Sequence, residues 1–310
     1  MTMRIRITVS VLTVSGGVGT LTHMPPDQSS RGSDWTQHEV EATVAAYFDM
    51  LRAELLNQPY GKTAFRRKLK PVVARSDGSI EFKHQNVSAV LVHMGLPYID
   101  GYKPRGNYQM LLGEQVESFL DRHPDFFDQL ASGAVLNPQQ LPAIQHPALR
   151  LFEPPPDRIE APPPGQAWLS RRGRKTDFVQ RDAENRRLGK LGEEFVVALE
   201  RRRLAEAGRD DLAGRVNWVS QTLGDGLGFD VSSFNEQDES EKMVEVKTTG
   251  QGKYSQFYVS SNEVRCSEAC AGQYHLFRVF DFARSPRVCV LSGALTQVCR
   301  LTPTQYLAVI

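Results

Sequence analysis

The order of apolar segments in the C-terminal half restricts the fold of this chain more than any other feature. From about residue 189 onward, apolar positions change between helical spacing and strand-like alternation. This pattern predicts a helix, three strands, a second helix and two further strands, at 189–207, 216–221, 228–234, 242–248, 261–271, 274–280 and 287–291. An αβββαβ order with one additional strand indicates an α/β domain in which helices flank a mixed sheet with central middle strands.

The N-terminal half has a different pattern, which is mainly helical between residues 35 and 130. One amphipathic helix is predicted from apolar residues at helical spacing, namely Val40, Val44, Tyr47, Leu51 and Leu55. A second helix is predicted to run from Ser79, as its N-cap, to Met94, with Gly95 ending it. The polar face of this second helix is expected to carry Lys83, Gln85 and Ser88.

Two runs of proline, at 154–156 and 162–164, separate these two patterns. Proline-rich segments are stiff and extended, so we expect this one to stay outside the core. A chain of 310 residues is long enough for two domains, because single cores rarely grow beyond about 250 residues. The sequence therefore predicts a leader, a helical module, a Pro-rich linker and an α/β domain, at 1–34, 35–130, 131–175 and 176–310.

Composition indicates a globular protein, since 40% of residues are hydrophobic and 24% are charged. These values exclude a disordered chain and do not indicate a membrane protein. The first residues combine a basic start with an apolar run that polar residues and glycines interrupt. We therefore expect a disordered leader, or an over-extended start with Met24 as the first residue. The four cysteines, all in the last fifth of the chain, do not resemble a secreted disulfide framework, which favours the cytoplasm.

Two neighbouring strand segments carry the residues that are the strongest candidates for a catalytic site. Asp230 lies in the segment GLGFDVSSF, and Glu245 and Lys247 lie in the segment KMVEVKTTG. Because side chains alternate along a strand, Glu245 and Lys247 are expected to point to the same face. If the two strands pair as a hairpin through the turn at 235–241, Asp230 can sit beside Glu245. Two carboxylates and an ammonium group would then share one site.

This set of residues suits the hydrolysis of a phosphodiester. Carboxylates bind Mg²⁺, or Mn²⁺ as the alternative ion, and a lysine can orient or deprotonate the attacking water and stabilise the transition state. A third acid is expected from the preceding helix, where GKLGEEFV offers Glu193 and, as the second choice, Glu194. The alternative interpretation is that Glu245 and Lys247 form an ion pair on a solvated strand and have no chemical role.

The run from Gly189 to Val264 resembles a known family. The segments that carry the resemblance are GKLGEEFV, GLGFDVSSF, MVEVKTT and FYVSSNEV. They are similar to the NO VEIN C-terminal-like domain, a branch of the PD-(D/E)XK nuclease-like superfamily that is found in bacterial defence proteins. The similarity continues through the strand predicted at 274–280. One position departs from the superfamily, because Phe229 stands where its name implies a proline before the first aspartate.

The resemblance implies a restriction-endonuclease-like fold with Asp230 and Glu245 as metal ligands, Lys247 as the catalytic lysine and Glu193 as the helix carboxylate. It further implies a Mg²⁺-dependent DNA endonuclease in restriction or phage defence. Double-strand cutting with one such site per chain calls for a homodimer, and a restriction role calls for an associated methyltransferase or other defence proteins. The alternative is a catalytically inactive protein of the same fold that binds nucleic acid or another partner.

The helical module contains a separate candidate site for nucleic acid. Its segment SIEFKHQNVSAVLVHMGLPYIDGYKPRGNYQ resembles an N-terminal module of bacterial nuclease-like proteins, some of which end in an HNH domain, and the resemblance implies target recognition or sensing. Cations cluster here, and some are interleaved with tyrosines: Lys62, Arg66, Arg67, Lys70, Lys103 and Arg105, with Tyr98, Tyr102 and Tyr108. Cations and stacking groups together suit nucleic acid. The alternative is that Tyr98 and Tyr102 belong to the core and that 62–70 is the outer face of a helix.

A basic segment at 171–190 opens the α/β domain, with eight Lys or Arg residues against three acids. The net charge of the whole chain is only +1, so any affinity for phosphates must come from local patches such as this one. We expect phosphate contacts at Arg171, Arg172, Arg174 and Lys175. The alternative is an ordinary solvated face.

Overall fold

Helices form the N-terminal part of the chain, which confirms the predicted helical region. They are α1 (Gln37–Leu55), α2 (Lys62–Leu69), α3 (Asp77–His93) and α4 (Met110–Arg122). The computed structural model describes 34–56, 58–126, 144, 146–159 and 178–304, without the side chains of 178–185 and Asp225. The leader predicted at 1–34 lies outside the described residues, except for Asp34.

The ends of α3 follow from its capping residues. Ser76 is the N-cap, and its side chain accepts a hydrogen bond from the Ser79 N–H. The prediction of Ser79 as the N-cap was therefore wrong, and the helix begins at Asp77. It ends before Gly95, whose φ of 70° is in the left-handed region that favours glycine.

The helix α3 is enclosed because it packs against both α1 and α4. Lys83 and Ser88, which were expected on a polar face, are 5% and 0% exposed. The Tyr47 hydroxyl of α1 hydrogen-bonds with the Ser88 hydroxyl at 2.8 Å. The same tyrosine oxygen accepts a hydrogen bond from the Ile99 N–H at 2.9 Å. The predicted polar face was wrong, since these polar groups satisfy their hydrogen bonds inside the helical region.

A mixed sheet flanked by helices forms the C-terminal part, as predicted. Its strands are β1 (Phe152–Glu153), β2 (Asn217–Trp218), β3 (Val231–Phe234), β4 (Glu241–Thr248), β5 (Tyr274–Phe280) and β6 (Arg287–Ser292). Within the described residues, the sheet has six strands in the order β1-β6-β5-β4-β3-β2. The pairs β1–β6 and β4–β5 are parallel, and the other pairs are antiparallel. The strand β4, which carries Glu245 and Lys247, is therefore central.

Two helices cover opposite faces of this sheet, α5 (Phe178–Glu206) and α6 (Ser261–Ala269). On one face, α5 packs against strand residues in an apolar core that includes Phe195, Leu199, Val231, Val244 and Val246. On the other face, a second core includes Met243, Val264, Tyr274 and Leu276. Neither these helices nor the others in the described ranges are long and apolar enough to cross a membrane.

Two of the predicted strands are shorter than expected, for local reasons. The strand predicted at 216–221 ends early because the Val219 and Ser220 N–H groups both donate to the Asp230 carbonyl, at 2.8 and 3.2 Å. A single helical turn starts there instead. The strand β3 begins later than predicted because Gly228 is left-handed, with a φ of 85°, and the chain is not extended at that point.

Part of the predicted linker at 131–175 joins the sheet. The strand β1 pairs with β6 at the sheet edge, and Ala148 and Leu151 are buried in the core on the α5 side. The expectation that this segment stays outside the core was wrong for residues 148–153, because their apolar side chains fill space beside α5. By their contacts, residues Trp35–Ile310 form one compact unit. The division into a helical domain and an α/β domain stays a prediction.

The helix α5 approaches the end of β4 closely at Gly192. A Cβ atom at this position would lie 1.7 Å from Thr248 Oγ1 and 2.7 Å from Thr248 Cβ. Gly189 lies one turn earlier, and a Cβ there would meet no described atom within 4 Å. Of the two glycines in GKLG, packing therefore requires only the second.

We predict that Gly192→Ala lowers the free energy of unfolding by roughly 1 to 3 kcal/mol, because the new methyl group must displace Thr248. Gly189→Ala is the matched control in the same helix. It is expected to raise stability by about 0.5 to 1 kcal/mol, because alanine is the better helix former. Urea unfolding measures both values. Equal effects of the two substitutions would show that the Gly192 contact does not limit packing.

Candidate active site

The candidate site begins with Asp230, which directly precedes β3. The strands β3 and β4 pair as the antiparallel hairpin that the sequence predicts. The Asp230 N–H donates to the Val244 carbonyl at 2.9 Å, and the Asp230 carboxylate accepts a hydrogen bond from the Val246 N–H at 2.9 Å. Asp230 therefore lies beside the segment of β4 that contains Glu245.

Lys247 lies between two carboxylates. Its ammonium nitrogen is 2.7 Å from Glu245 Oε1 and 2.9 Å from Glu263 Oε2. Glu263 belongs to the first turn of α6, where it forms a capping box with Ser260. The same Oε2 atom accepts a hydrogen bond from the Ser260 N–H at 3.1 Å. One oxygen thus contacts both the lysine and the start of the helix.

Glu263 was not among the site residues predicted from the sequence. A signal was present in the segment FYVSSNEV, where Ser260 and Glu263 have the S-x-x-E spacing of a capping box. That spacing predicts the start of a helix, but it does not predict that the same carboxylate contacts Lys247. Only the packing of α6 against the sheet reveals this contact.

The ion pair between Glu245 and Lys247 lies in the interior. Glu245 is 3% exposed, and the Lys247 side chain is 18% exposed. The alternative interpretation requires an ion pair on a solvated strand, whereas this pair is on a central strand with neighbours on both sides. Pairs of this kind are costly to bury, so they are weak evidence for stability and are often found at functional sites.

The electrostatics of the site favour binding of a proton or a cation. Burial, together with the charge of Glu193, raises the pKa of Asp230 to about 7, against the hydrogen bond from Val246. Burial also raises the pKa of Glu245 well above its usual range, and the charge of Asp230 adds to this effect, while Lys247 opposes it. Burial lowers the pKa of Lys247, but Glu245 and Glu263 outweigh it and hold that pKa above its usual value.

Glu193 is held at the site by two donors that the sequence analysis missed. Its carboxylate accepts hydrogen bonds from the Trp218 indole N–H at 2.7 Å and from the Ser220 hydroxyl. Glu194, the second choice for the helix acid, is exposed. Glu193 is thus the acid whose charge acts on Asp230. No sequence spacing connects Trp218 or Ser220 with this role.

The loop before Asp230 packs tightly on α6 through Gly228. A Cβ at Gly228 would lie 2.7 Å from Cys266 Cβ and 3.0 Å from the Asn262 carbonyl oxygen. The Tyr274 hydroxyl donates to the Gly228 carbonyl at 3.2 Å. The glycine before FD in GLGFD therefore allows both the left-handed turn and the approach of Asp230 to the centre of the sheet.

Asp230 and Glu245 are the residues that could hold a divalent metal ion. Among the described residues, no group of three or more His, Cys, Asp or Glu is close enough to do so. Mg²⁺, however, is commonly bound by one or two carboxylates and several waters. The charge of Asp230 raises the pKa of Glu245, and a cation between the two carboxylates would offset this repulsion. The donor set therefore fits a hydrated hard ion.

The cations predicted to bind nucleic acid in the helical region have neighbours within the protein. The Arg66 guanidinium pairs with Glu81 at 2.7 Å, and the Lys70 ammonium pairs with Asp77 at 2.6 Å. Arg67 is exposed. These cations lie on and next to α2, where Lys70 and Arg67 are exposed and Arg66 is partly buried.

The remaining predicted cations form two further groups. The Lys62 ammonium lies 4.3 Å from the ring centroid of Tyr102, Lys103 pairs with Asp157, and the Arg105 guanidinium lies 5.8 Å from the ring centroid of Phe82. The tyrosines interleaved with them are core residues, since Tyr98, Tyr102 and Tyr108 are 7%, 1% and 5% exposed. The interpretation that places them in the core is the correct one. Arg171, Arg172, Arg174 and Lys175 lie outside the described residues.

Comparison with known proteins assigns part of this chain. Residues 192–291 match the family model described as Protein NO VEIN, C-terminal, which confirms that part of the resemblance. The match runs from Gly192 in α5 to Leu291 in β6 and includes the acids and the lysine of the candidate site. No curated protein and no solved structure matches the chain. The matched residues lie within the mixed sheet and its flanking helices, after the helical region of α1 to α4.

The raised pKa of Asp230 predicts how stability depends on pH in the metal-free protein. Its pKa rises from 3.8 to about 7 on folding, so the folded state binds the proton more tightly than the unfolded state between these values. The contribution of Asp230 to the free energy of unfolding is fully present below about pH 4 and is lost as the pH rises through about 7. Asp230→Asn removes this dependence and keeps an acceptor for the Val246 N–H. The variant should therefore exceed wild type at pH 8 by on the order of a few kcal/mol.

Guanidinium unfolding in the presence of a chelator at pH 4 and pH 8 measures this difference. Asp238→Asn is the control, because Asp238 is exposed and hydrogen bonds from Ser240 lower its pKa. That variant should gain no stability at pH 8. If Asp230→Asn were less stable than wild type at pH 8 in the chelator, the charge of Asp230 would not be the source of strain.

Proposed function

We propose that this protein is a metal-dependent endonuclease of the PD-(D/E)XK type that hydrolyses phosphodiester bonds in DNA. The observation that carries the proposal is the contact of the partly buried Lys247 with the buried Glu245, with Asp230 directly before the adjoining strand β3. A central strand rarely keeps an acid and a lysine in its interior without a chemical reason. The match to the NO VEIN C-terminal family supports the proposal through its position, since it spans this same site.

Each residue of the site has a distinct task in this proposal. Asp230 and Glu245 would hold Mg²⁺, or Mn²⁺ in its place. The bound ion would neutralise charge on the phosphate and lower the pKa of a bound water. Lys247 has a raised pKa, so it is protonated at neutral pH and acts as a cation and hydrogen-bond donor rather than as a base. In that form it can orient the attacking water and stabilise the charge that develops on the phosphate.

Two further acids complete the site. Glu263 contacts the Lys247 ammonium in addition to Glu245. Glu193, fixed by Trp218 and Ser220, adds negative charge beside Asp230 and so strengthens the attraction of the site for a cation. The proposed role for Glu193 is therefore electrostatic support of the metal site from α5.

The biological setting that we propose is restriction or phage defence, with DNA as the partner. A chain with one such site cuts both strands as a homodimer, and an associated methyltransferase or other defence protein would complete a restriction pair. The support for this setting is the resemblance of both halves of the chain to modules of bacterial nuclease-like proteins. The rival function is binding of nucleic acid or a partner without cleavage.

Substitutions at the site test the chemistry. Asp230→Ala and Glu245→Ala should each reduce Mg²⁺-dependent cleavage of plasmid DNA by on the order of 10² or more, because each removes a metal ligand. Lys247→Met should reduce cleavage by a similar factor while binding of metal and DNA stays close to wild type. Lys242→Met is the matched control, since Lys242 is on the same strand but faces α5. It should cut at nearly the wild-type rate.

The two glutamates of α5 provide a second matched pair in the same assay. Glu193→Gln should cause a smaller loss than Asp230→Ala, whereas Glu194→Gln should have little effect, because Glu194 is exposed. Ca²⁺ should support DNA binding with little cutting, because its coordination geometry is looser. Retention of DNA in a shift assay without products in Mg²⁺ or Mn²⁺ would favour the rival function. Normal cleavage by both Asp230→Ala and Lys247→Met would refute the proposed site.

The helical region is proposed to bind nucleic acid through the cations on and around α2. Arg67→Glu should weaken DNA binding and reduce the slope of log affinity against log salt by about 1, because one phosphate contact releases its counterion. Arg122→Glu, an equal charge change on α4, is the control and should leave the slope unchanged. A titration of labelled duplex DNA at several salt concentrations measures both. Equal slopes for the two variants would exclude Arg67 from the interface.

A further inference from the structure

Arg278 is a buried cation that neither the sequence analysis nor the proposed chemistry uses. It lies in β5, directly opposite Lys247 of β4 in the parallel register. Arg278 is 2% exposed, and no carboxylate in the described part of the chain forms an ion pair with it. Its Nε atom also has no hydrogen-bond partner among the described residues. A guanidinium group in such surroundings costs free energy, so a role for it is expected.

The guanidinium group of Arg278 joins two backbone carbonyls. One nitrogen donates to the Lys247 carbonyl at 3.0 Å, and another donates to the Ser255 carbonyl at 3.1 Å. The ring centroid of Phe257 lies 5.0 Å from the guanidinium carbon. The planar fork of an arginine suits two acceptors at fixed positions, which a lysine ammonium does not reproduce. Arg278 thereby ties the strand of Lys247 to the loop that follows it.

Residues 249–260 form this loop, the connecting loop, which joins β4 to α6. It ends at Ser260, the N-cap of α6, and so it determines where Glu263 lies. Glu263 in turn contacts Lys247. A shift of the connecting loop would therefore move Glu263 relative to the lysine that it holds.

The connecting loop also contacts the helical region. The Tyr254 N–H donates to the Tyr98 hydroxyl at 3.4 Å, and the Gln256 side chain donates to the His93 carbonyl at 3.4 Å. A Cβ at Gly252 would lie 2.5 Å from the Tyr98 hydroxyl, so glycine permits this approach. The loop is thus in contact with both Tyr98 of the helical region and Arg278 of the sheet.

We propose that Arg278 is a positioning residue that, with Tyr98, fixes the connecting loop so that Glu263 and Lys247 meet in the candidate site. Arg278 touches no substrate, and it acts through the Lys247 and Ser255 carbonyls. Its consequence for cleavage rests on the proposed function, but its effect on the loop does not. The helical region reaches the same loop through Tyr98, so nucleic acid bound there would influence the site along this path.

Hydrogen exchange of the full-length protein tests the structural part. In Arg278→Met, amide exchange in 249–260 should rise at least tenfold over wild type, whereas exchange in α4 should be unchanged. Arg278→Lys should resemble Arg278→Met, because it keeps the charge but loses the two-carbonyl geometry. Tyr98→Phe should raise exchange at 252–256 without altering the sheet. Arg265→Met, at an exposed arginine of α6, is the control and should match wild type.

Cleavage kinetics test the consequence for the site. Arg278→Met should lower kcat by 10- to 100-fold with less than a threefold change in KM, and Tyr98→Phe should lower kcat by a smaller factor.

Unchanged exchange in 249–260 in both Arg278 variants would overturn the positioning role, whatever the cleavage result. Raised exchange with unchanged kcat would overturn the link to the site. If wild type itself does not cleave, the proposed function fails, and the exchange data still decide the role of Arg278. If Arg278→Met does not fold, Arg278→Lys and Tyr98→Phe decide it.

Discussion

The contact of Lys247 with Glu245 and Glu263 is the interaction on which the rest of the site depends. It brings together a central strand and the first turn of α6, and it occurs where water is largely excluded. Burial and the charges of Asp230 and Glu263 raise the pKa of the buried Glu245, and the charge of Lys247 opposes them. The lysine therefore lowers the cost of keeping acids inside the sheet, and a bound cation would lower it further.

The fold was predictable to a large extent, and the reasons lie in particular elements. The strand predicted at 274–280 is observed as Tyr274–Phe280, because a short run in which five of the seven residues are apolar or aromatic favours a buried strand. The edge strand Phe152–Glu153 was missed because a strand of two residues shows no periodicity in the sequence. The early end of β2 was missed because it depends on hydrogen bonds to the distant Asp230 carbonyl.

Apart from Glu193, which was expected on the helix before the strands, the candidate site was predictable only where its residues share one strand or one hairpin. Alternation along β4 places Glu245 and Lys247 on one face, and the hairpin brings Asp230 beside them. Glu263 and Arg278 reach the same place through packing of α6 and pairing of β5. Such contacts depend on how separate elements meet in space. A single sequence carries no spacing that encodes them. The contacts of Glu263 and Arg278 were therefore not predictable from the sequence, whereas those within the β3–β4 hairpin were.

One Glu263 oxygen contacts both Lys247 and the Ser260 N–H. The lysine and the start of α6 therefore compete for the same acceptor atom. Any anion that draws the ammonium away leaves this oxygen entirely to the helix cap. The cap then gains an undivided acceptor at the moment when the lysine loses one of its two carboxylates. The hydrogen bond in the first turn of α6 therefore offsets part of the free-energy cost of moving Lys247 away from Glu263.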